Sequence, residues 1–229
     1  MPNINFDLSN PLLNEQPQFL KNWVQDFSSL ISWKDIEVCM NSPEMYGIEL
    51  IDPNNKKMMH SSTVLEREKE FLFDCIHNGH GLVINGYGNY SNTTKNFLKV
   101  FEDTFDVNAQ IHVYCGLTSN ATSFNIHCDS PTNFILQIEG ECRWKVYKNR
   151  MSSLLDFFSS PGTVQSEINM ETEIDVVLSP GDGLLIPPRQ YHLAIPNQRR
   201  ISISIPCWPR AREEKRINDR NYYKLNIGV

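Results

Sequence analysis

Three residues of this 229-residue chain have the types and spacing of a metal site. His127 and Asp129 stand two positions apart, and on a strand two such side chains project to the same face, where both can bind one ion. His192 is available as the third ligand, because residues 180–188 predict a turn, a strand and a proline-fixed bend that deliver it. Two imidazoles and one carboxylate leave coordination positions open, which is typical of non-haem iron(II) oxygenases.

The order of the surrounding motifs favours a metal over the alternative, a pair of buried histidines in a barrel that holds no ion. A His-x-Asp triplet alone is a weak signal. After the triplet come Glu139-Gly140, then Pro180-Gly181-Asp182, then Ile186-Pro187-Pro188 and finally His192. Buried polar groups need partners, and a bound ion would supply one for both imidazoles.

From about residue 108 the chain has many short apolar or alternating runs separated by turn signals. This density of strands predicts an antiparallel barrel or jelly roll. The predicted strands are residues 110–115, 133–138, 142–147, 174–178, 183–186, 191–195 and 201–205. The dipeptide Glu139-Gly140 is typical of a two-residue hairpin turn, which would pair Gln137 with Cys142 and turn both toward the cavity.

The first half of the chain has a mixed pattern. Large apolar side chains between residues 17 and 31 recur at spacings of three and four, which predicts a helix there. Further helices are predicted over 64–78 and 93–105, with strands over 46–51 and 81–85. We therefore expect an N-terminal helical and mixed region at 1–107, a barrel core at 108–207 and a tail helix at 208–229.

Charge, cysteine content and hydropathy limit the partners and the compartment. The net charge of -6 and the pI near 5.5 argue against nucleic acid as the main partner. The six cysteines form no CxxC pair, and we find neither a signal peptide nor a membrane span. The prediction is a cytoplasmic protein with reduced thiols, whose basic tail is a solvated helix and not a nucleic-acid arm.

The motifs together resemble the cupin-type Jumonji-C oxygenases, and most of all their ribosomal-oxygenase group. The resemblance covers about residues 80–206 and rests on the order and spacing of short motifs. They are Gly81-Leu82-Val83-Ile84-Asn85-Gly86, Ile111-His112-Val113-Tyr114, His127-x-Asp129, Asn133 to Gly140 with Arg143-Trp144, Pro180-Gly181-Asp182, and Ile186-Pro187-Pro188 with His192.

This resemblance implies a mainly β fold, a double-stranded β-helix (jelly-roll or cupin barrel) with the N-terminal α/β elements packed on it. It implies iron(II) as the metal, and 2-oxoglutarate and dioxygen as cosubstrates. The usual substrates of the family are side chains in proteins or peptides. No catalytic residue is expected beyond the metal ligands.

The resemblance also implies roles for residues near the triad. Tyr114 stands where family members have an active-site tyrosine on the first barrel strand, and Asn133 matches a supporting asparagine of related asparaginyl hydroxylases. His112 shares the face of Tyr114. It stands where the family usually has an asparagine, so we expect the substrate contacts to differ.

One position departs from the family pattern. The family anchors the far carboxylate of 2-oxoglutarate with a lysine or arginine fifteen residues after the first histidine, and here that residue is Cys142. A thiol cannot make the paired contact that a guanidinium makes, and Arg143 and Lys145 are expected to face outward.

The last predicted strand offers a substitute for that anchor. Arg200, Ser202 and Ser204 alternate with isoleucines and share one face, which we expect to be the His192 face. Arg200 with Ser202 is therefore the candidate cosubstrate clamp, and Ser204 is a candidate substrate contact. The alternative is that Arg200 faces solvent, because sequence does not determine the register of the strand.

Three functions follow from these observations. The first is an iron(II)- and 2-oxoglutarate-dependent hydroxylase of a protein, peptide or amino-acid-like substrate. A homodimer is a separate prediction, because the first predicted helix and the tail could both form an interface. The second is a metal-binding cupin enzyme that does not use 2-oxoglutarate, which Cys142 supports. The third is a catalytically silent binding protein, against which the intact triad counts, because its polar groups are costly without an ion.

Overall fold

Two antiparallel sheets form a barrel from the second half of the chain. The computed structural model describes residues 2–4, 16–43, 45–54, 58–59, 69–152, 163–164 and 169–210. The barrel strands are β8 (His112–Gly116), β9 (Ile126–His127), β10 (Thr132–Glu139), β11 (Cys142–Arg150), β13 (Thr172–Leu178), β14 (Gly183–Ile186), β15 (Gln190–Pro196) and β16 (Arg200–Pro209).

The remaining elements come mostly from the N-terminal region. The other strands are β1 (Asn3–Ile4), β2 (Gln18–Leu20), β3 (Val24–Gln25), β4 (Gly47–Ile51), β5 (Met58–Met59), β6 (Gly81–Asn85), β7 (Val107–Ala109) and β12 (Thr163–Val164). The α-helices are α1 (Trp33–Asn41), α2 (Lys69–His77) and α3 (Asn92–Phe105).

Most barrel strands that follow one another in sequence lie in different sheets. The larger sheet has the order β2-β14-β10-β16-β8-β6-β4-β5, with β7 also paired to β16, and the smaller has the order β12-β9-β15-β11-β13. From β8 to β16 the barrel strands alternate between the two sheets, except that β11 and β13 both lie in the smaller sheet and pair with each other. This is the arrangement of a double-stranded β-helix. The predicted fold class is confirmed, including the N-terminal strands β4 and β6 that extend the larger sheet.

The predicted hairpin at Glu139-Gly140 is wrong. Gln137 on β10 pairs with Ser202 on β16, whereas Cys142 on β11 pairs with Leu178 and Pro196. The two strands belong to different sheets, so the turn carries the chain across the barrel. Gly140 has a φ of +67°, and a Cβ there would meet the backbone of the 199–200 peptide, so this crossing needs glycine.

The predicted helix over 17–31 is also wrong. This segment forms β2, β3 and a 3-10 turn (Phe27–Ser29), and β2 pairs with the barrel strand β14. Asn22 and Asp26 both have left-handed backbone conformations, which a continuous helix excludes. The apolar spacing arises because the segment packs at the edge of the larger sheet, where Trp23 is buried and stacks on Phe134 at 5.3 Å.

The other predicted helices and strands lie close to where they were predicted. α3 begins one residue before the predicted start and α2 lies within the predicted 64–78 range, of which residues 64–68 are outside the described residues. Strand β16 extends to Pro209, two residues into the predicted tail helix, and residues 211–229 are outside the described residues. Among the described residues, the helices are too short and too polar to span a membrane.

Candidate active site

The three predicted ligands lie together at one end of the barrel. The donor atoms of His127, Asp129 and His192 are all within 4.8 Å of one another, and the Nε2 of His192 is 3.6 Å from the Oδ2 of Asp129. His127 ends β9 and pairs directly with His192 on β15. The strand predicted for the whole triplet ends at His127, so Asp129 lies in the segment that crosses to β10.

Backbone carbonyls hold both imidazoles in the orientation that a metal requires. The Nδ1 of His127 lies 2.8 Å from the carbonyl oxygen of Asn125, and the Nδ1 of His192 lies 2.9 Å from that of Gln190. A carbonyl accepts a hydrogen bond, so each Nδ1 is the protonated nitrogen and each Nε2 keeps its lone pair for an ion. Burial, and then the charge of His127, lower the pKa of His192 below its ordinary value, which favours the neutral form that binds metals.

The donor set fits iron(II). Two neutral imidazoles and one carboxylate are the facial set used by non-haem iron. Metal bonds of about 2.0–2.2 Å place neighbouring donors roughly 3–4 Å apart, and the measured nitrogen–oxygen separation is in this range. Asn133 donates a hydrogen bond of 2.6 Å from Nδ2 to the Oδ2 of Asp129 and so fixes the carboxylate.

A pocket inside the barrel connects the triad to Arg200. Its lining includes the three predicted ligands, Tyr114 on β8, and the polar side chains of β16, Arg200, Ser202 and Ser204. Arg200 is only 2% exposed, which excludes the alternative that it faces solvent. The structure thus brings the predicted metal ligands and the predicted clamp to one cavity.

Arg200 is a buried cation without an acidic partner. Its Nη1 makes only long contacts of 3.4 Å with the carbonyl oxygen of Tyr114 and the Oγ of Ser202. In the part of the chain that the structure describes, no carboxylate pairs with it, and its Nε has no hydrogen-bond partner. The indole Nε1 of Trp144, which also lines the pocket, has no partner either. Because a buried cation and buried N–H donors are costly alone, the pocket is suited to an anion.

The residue at the usual anchor position is buried and experiences the charge of Arg200. Burial raises the pKa of the Cys142 thiol, and the positive charge of Arg200 acts in the opposite direction. Cys142 and Gln137 are both buried, but neither is among the residues that line the pocket. Arg143 is at the surface, where it makes a two-point ion pair with Asp175.

A second, wider cavity adjoins the first on the outer side of Asp129. This outer groove has a volume of about 330 Å³. Its lining is formed by Gln110, His112, Tyr114, Asp129, Ser130, Pro131, Asn133, Ser204, Pro206 and Trp208. Burial lowers the pKa of His112, with the charges of Glu49 and Asp129 opposing, and its Nδ1 has no hydrogen-bond partner.

Sequence reasoning missed several residues that line the inner pocket. Phe124 packs edge-on against His127 with ring centroids 5.3 Å apart, and Trp144 lies 6.1 Å from His192. The alternation of buried residues on β11 was a usable signal for Trp144, because Cys142, Trp144 and Val146 share a face. Phe124 lies in an irregular segment, where no periodicity marks it.

Comparisons with known proteins agree with this geometry. A family model described as the JmjC domain matches residues 89–214, just over half of the chain. Ribosomal oxygenase 1 of Gallus gallus is 33% identical over 143 residues, which are 61% of this chain and 23% of that protein. A protein of Aedes aegypti named bifunctional lysine-specific demethylase and histidyl-hydroxylase NO66 is 34% identical over 97 residues, 39% of this chain and 15% of that protein.

Solved structures show the same fold. YcfD, described as a ribosomal oxygenase from Escherichia coli in complex with cobalt and 2-oxoglutarate, superposes with a TM-score of 0.62 and 19% identity over 92% of this chain and 52% of that chain. The present chain therefore spans about half of that structure and less than a quarter of the two relatives named above.

Proposed function

Because the chain belongs to the JmjC domain family, we propose that it is an iron(II)- and 2-oxoglutarate-dependent oxygenase that hydroxylates a side chain of a protein or peptide. One observation carries this proposal: a two-histidine, one-carboxylate triad opens onto a pocket whose buried arginine has no acidic partner. The solved structure of YcfD with cobalt and 2-oxoglutarate supports the choice of cosubstrate.

In this proposal each residue of the pocket has a defined task. His127, Asp129 and His192 hold the iron, with Asn133 keeping the Asp129 carboxylate in place. The bound metal would supply activation of dioxygen: one oxygen atom enters a C–H bond of the substrate, the other enters succinate, and carbon dioxide leaves the oxidised 2-oxoglutarate.

Arg200 takes the role of the missing anchor at Cys142. Its guanidinium would pair with the far carboxylate of 2-oxoglutarate, a contact that relieves an otherwise uncompensated buried charge. Ser202 lies beside it and already donates to the Oε1 of Gln137 at 2.8 Å, so the hydroxyl oxygen and the guanidinium are held together. Tyr114, on the neighbouring strand β8, would line the cosubstrate site.

Succinate formation tests the reaction class. The full chain with iron(II), ascorbate and 2-oxoglutarate should release succinate, and the Asp129→Ala variant should bind no iron and release none, because one of the three protein ligands is lost. If wild type binds iron but neither binds nor consumes 2-oxoglutarate, the alternative of a metal-binding cupin without this cosubstrate is correct.

A rescue experiment tests the clamp. Arg200→Ala should raise the KM for 2-oxoglutarate by about thirtyfold or more, because removing one partner of a buried charged pair costs about 2–5 kcal/mol. Adding Cys142→Lys to that variant should restore much of the affinity, since the new cation occupies the position where the family has its anchor. Cys142→Ser with Arg200→Ala is the matched control. An unchanged KM in Arg200→Ala would rule out this clamp.

The remaining parts of the proposal concern the substrate class, the domain arrangement, the cellular location and the oligomeric state. We propose a protein substrate, as the names of the relatives suggest, and a catalytic core at 108–207 supported by residues 1–107. A cytoplasmic location fits six cysteines that are all free and buried. A homodimer stays a prediction, which sedimentation of the full chain would test.

A further inference from the structure

Two of the three proposed metal ligands are held by one short segment at the start of β15. The backbone N–H of Arg189 donates to the carbonyl oxygen of Asp129 at 2.6 Å. The carbonyl oxygen of the next residue, Gln190, accepts the hydrogen bond from the Nδ1 of His192 at 2.9 Å. The third ligand, His127, pairs with His192 across β9 and β15. The position of this segment therefore sets the positions of Asp129 and His192 relative to each other.

The backbone of the segment has a conformation that arginine rarely adopts. Arg189 has a φ of +59°, in the left-handed region, which is unfavourable for a residue with a Cβ. Such conformations persist only where the surrounding contacts determine the backbone, and they are concentrated at functional sites. The N–H of Met151 donates to the carbonyl oxygen of Arg189 at 2.9 Å, so both sides of the residue are bonded. The segment therefore depends on its neighbours to keep this conformation.

The side chain of Gln190 fixes the segment to two neighbouring strands. It is 1% exposed, and its Nε2 donates to the carbonyl oxygen of Tyr147 on β11 at 2.8 Å and to the Oε2 of Glu173 on β13 at 2.7 Å. Its Oε1 lies 3.3 Å from the Nη2 of Arg150 on β11. A carboxamide has two N–H donors, and here each one has an acceptor, which also determines the orientation of the amide.

These contacts extend from the protein surface to the metal ligand His192. Glu173 is exposed on β13, which ends the strand order of the smaller sheet. Its carboxylate holds the side chain of Gln190, and the backbone carbonyl of Gln190 holds the imidazole of His192. Neither Glu173 nor Gln190 is among the residues that line the inner pocket or the outer groove. A change in either residue would therefore act on the metal only through its ligands.

We propose that Gln190 is a positioning residue of the metal triad. Its buried carboxamide holds the left-handed segment in place, and the segment in turn holds Asp129 and His192. Glu173 is the surface residue that completes this support. The inference rests on the metal-dependent function proposed above.

Binding of cobalt(II) to the full chain tests the role of Gln190. Cobalt(II) takes the same imidazole and carboxylate ligands as iron(II), and its visible absorption reports their geometry. Gln190→Met keeps the length and bulk of the side chain but makes neither hydrogen bond. It should raise the Kd for cobalt(II) about tenfold or more, which is the usual effect of losing a group that orients metal ligands. At saturating cobalt(II), its visible bands should also be shifted from those of wild type.

Asp182→Asn is the control for a general loss of stability. Asp182 is buried and hydrogen-bonded, as Gln190 is, but its partners are Lys21, Asn22 and Ser179. This variant should bind cobalt(II) with the Kd and the spectrum of wild type. Equal Kd and spectrum in Gln190→Met and wild type would overturn the inference. An equal weakening in Asp182→Asn would overturn it too, because Gln190 would then act only through the stability of the fold.

A pair of variants at the surface tests the contribution of Glu173. Glu173→Ala removes one acceptor of the Gln190 carboxamide and should raise the Kd for cobalt(II) about threefold, a small effect that suits the loss of one of two hydrogen bonds. Glu173→Gln is the matched control, because its amide oxygen can still accept from the Nε2 of Gln190, so its Kd should equal that of wild type. An unchanged Kd in Glu173→Ala would show that Glu173 has no part in the support.

Failure of the inference and failure of the proposed function give different results. If wild type binds cobalt(II) and iron(II) and Gln190→Met binds them equally well, the inference is wrong and the oxygenase function stands. If wild type binds neither ion, the metal site itself is rejected, and the oxygenase function with it.

Discussion

At the scale of single residues, Asn133 connects the metal ligands to the groove. Its Nδ2 donates to Asp129 and its Oδ1 accepts from Ser204, so it holds the carboxylate from the side of the larger sheet. Groups that hydrogen-bond to metal ligands orient them and tune their basicity. The Asp129 side chain is one-third exposed and lies outside a strand, so it depends on this contact more than the strand-borne histidines do.

We expect Asn133→Ala to weaken iron(II) binding by about 10- to 100-fold, which is the usual effect of losing such a partner. Anaerobic calorimetry of the full chain measures this directly. Asn149→Ala is the control, because Asn149 bonds only to the 169–171 segment, on the smaller sheet. Equal iron affinity in Asn133→Ala and wild type would show that Asp129 is positioned by other groups.

Residue types and spacing were enough to predict the metal ligands, but not the environment of Arg200. The residue types alone identify His127, Asp129 and His192 as candidate metal ligands, and the structure brings the three together. Whether Arg200 is buried depends on the register of β16 against β8 and β10, and a shift of one residue would have turned it to the other face. Its electrostatic effect on Cys142 acts between strands of different sheets, which a local sequence pattern cannot show.

At the scale of elements, Asp182 attaches the N-terminal segment to the barrel. The buried carboxylate accepts hydrogen bonds from the backbone N–H of Asn22 at 2.9 Å and of Ser179 at 3.1 Å, and from the Nζ of Lys21 at 2.9 Å. Burial raises the pKa of Asp182, but these bonds outweigh it, so the pKa is lowered from its ordinary value of 3.8. The ionised form therefore stabilises the turn between β13 and β14.

Asp182→Asn should lower the free energy of unfolding by about 1.5–3 kcal/mol at pH 7, because an amide cannot accept from all three donors. The contribution of Asp182 is complete above pH 3.8, the ordinary value, and is lost as the pH falls through the lower folded-state pKa. The difference between wild type and variant should thus shrink in acid.

Urea denaturation at pH 7 and pH 3 tests this prediction. Asp175→Asn is the control, because its ion pair with Arg143 is partly exposed and worth at most about 1 kcal/mol. A gap between wild type and Asp182→Asn that stays constant with pH would show that the charge of Asp182 does not contribute.

Helix prediction failed where tertiary contacts replaced a helix and where a capping signal was overlooked. The spacing of apolar residues at 17–31 matched a helix, yet the segment is held by β14 and by Asp182. Helix α1 was not predicted, although Ser32 and Asp35 form a capping box and Ile36, Cys39 and Met40 are its buried face. That box is visible in sequence, whereas pairing to a distant strand is not.

At the scale of the whole molecule, the strand pattern predicted a barrel but not how its strands connect. Short alternating strands are compatible with hairpins between neighbours, and that reading produced the wrong pairing of Gln137 with Cys142. In this double-stranded β-helix most connections cross between the sheets, and among the described barrel strands only β11 and β13 are sequence neighbours that pair with each other. Only the resemblance to a family indicated this topology in advance, because the crossings leave no periodic signal.

This topology makes the metal a link between the two sheets. His127 on β9 and His192 on β15 belong to the smaller sheet, whereas Asp129 lies on the crossing to β10 of the larger sheet, where Asn133 holds it. An ion bound by all three therefore binds the folded barrel and not the unfolded chain. At a free iron(II) concentration 100 times the Kd, such binding stabilises the fold by about 2.7 kcal/mol.

We expect iron(II), added anaerobically, to raise the Tm of wild type by about 5–10 °C, since 1 kcal/mol corresponds to about 2–4 °C for a domain of this size. Asp129→Ala should show no rise. Further addition of 2-oxoglutarate should raise the Tm again in wild type but not in Arg200→Ala, because the anion would bridge the ion to a strand of the larger sheet.

Differential scanning fluorimetry of wild type, Asp129→Ala and Arg200→Ala measures these shifts in Tm. A rise of equal size in Asp129→Ala would mean that iron stabilises the chain at some other site, and the link between the sheets would have to be abandoned.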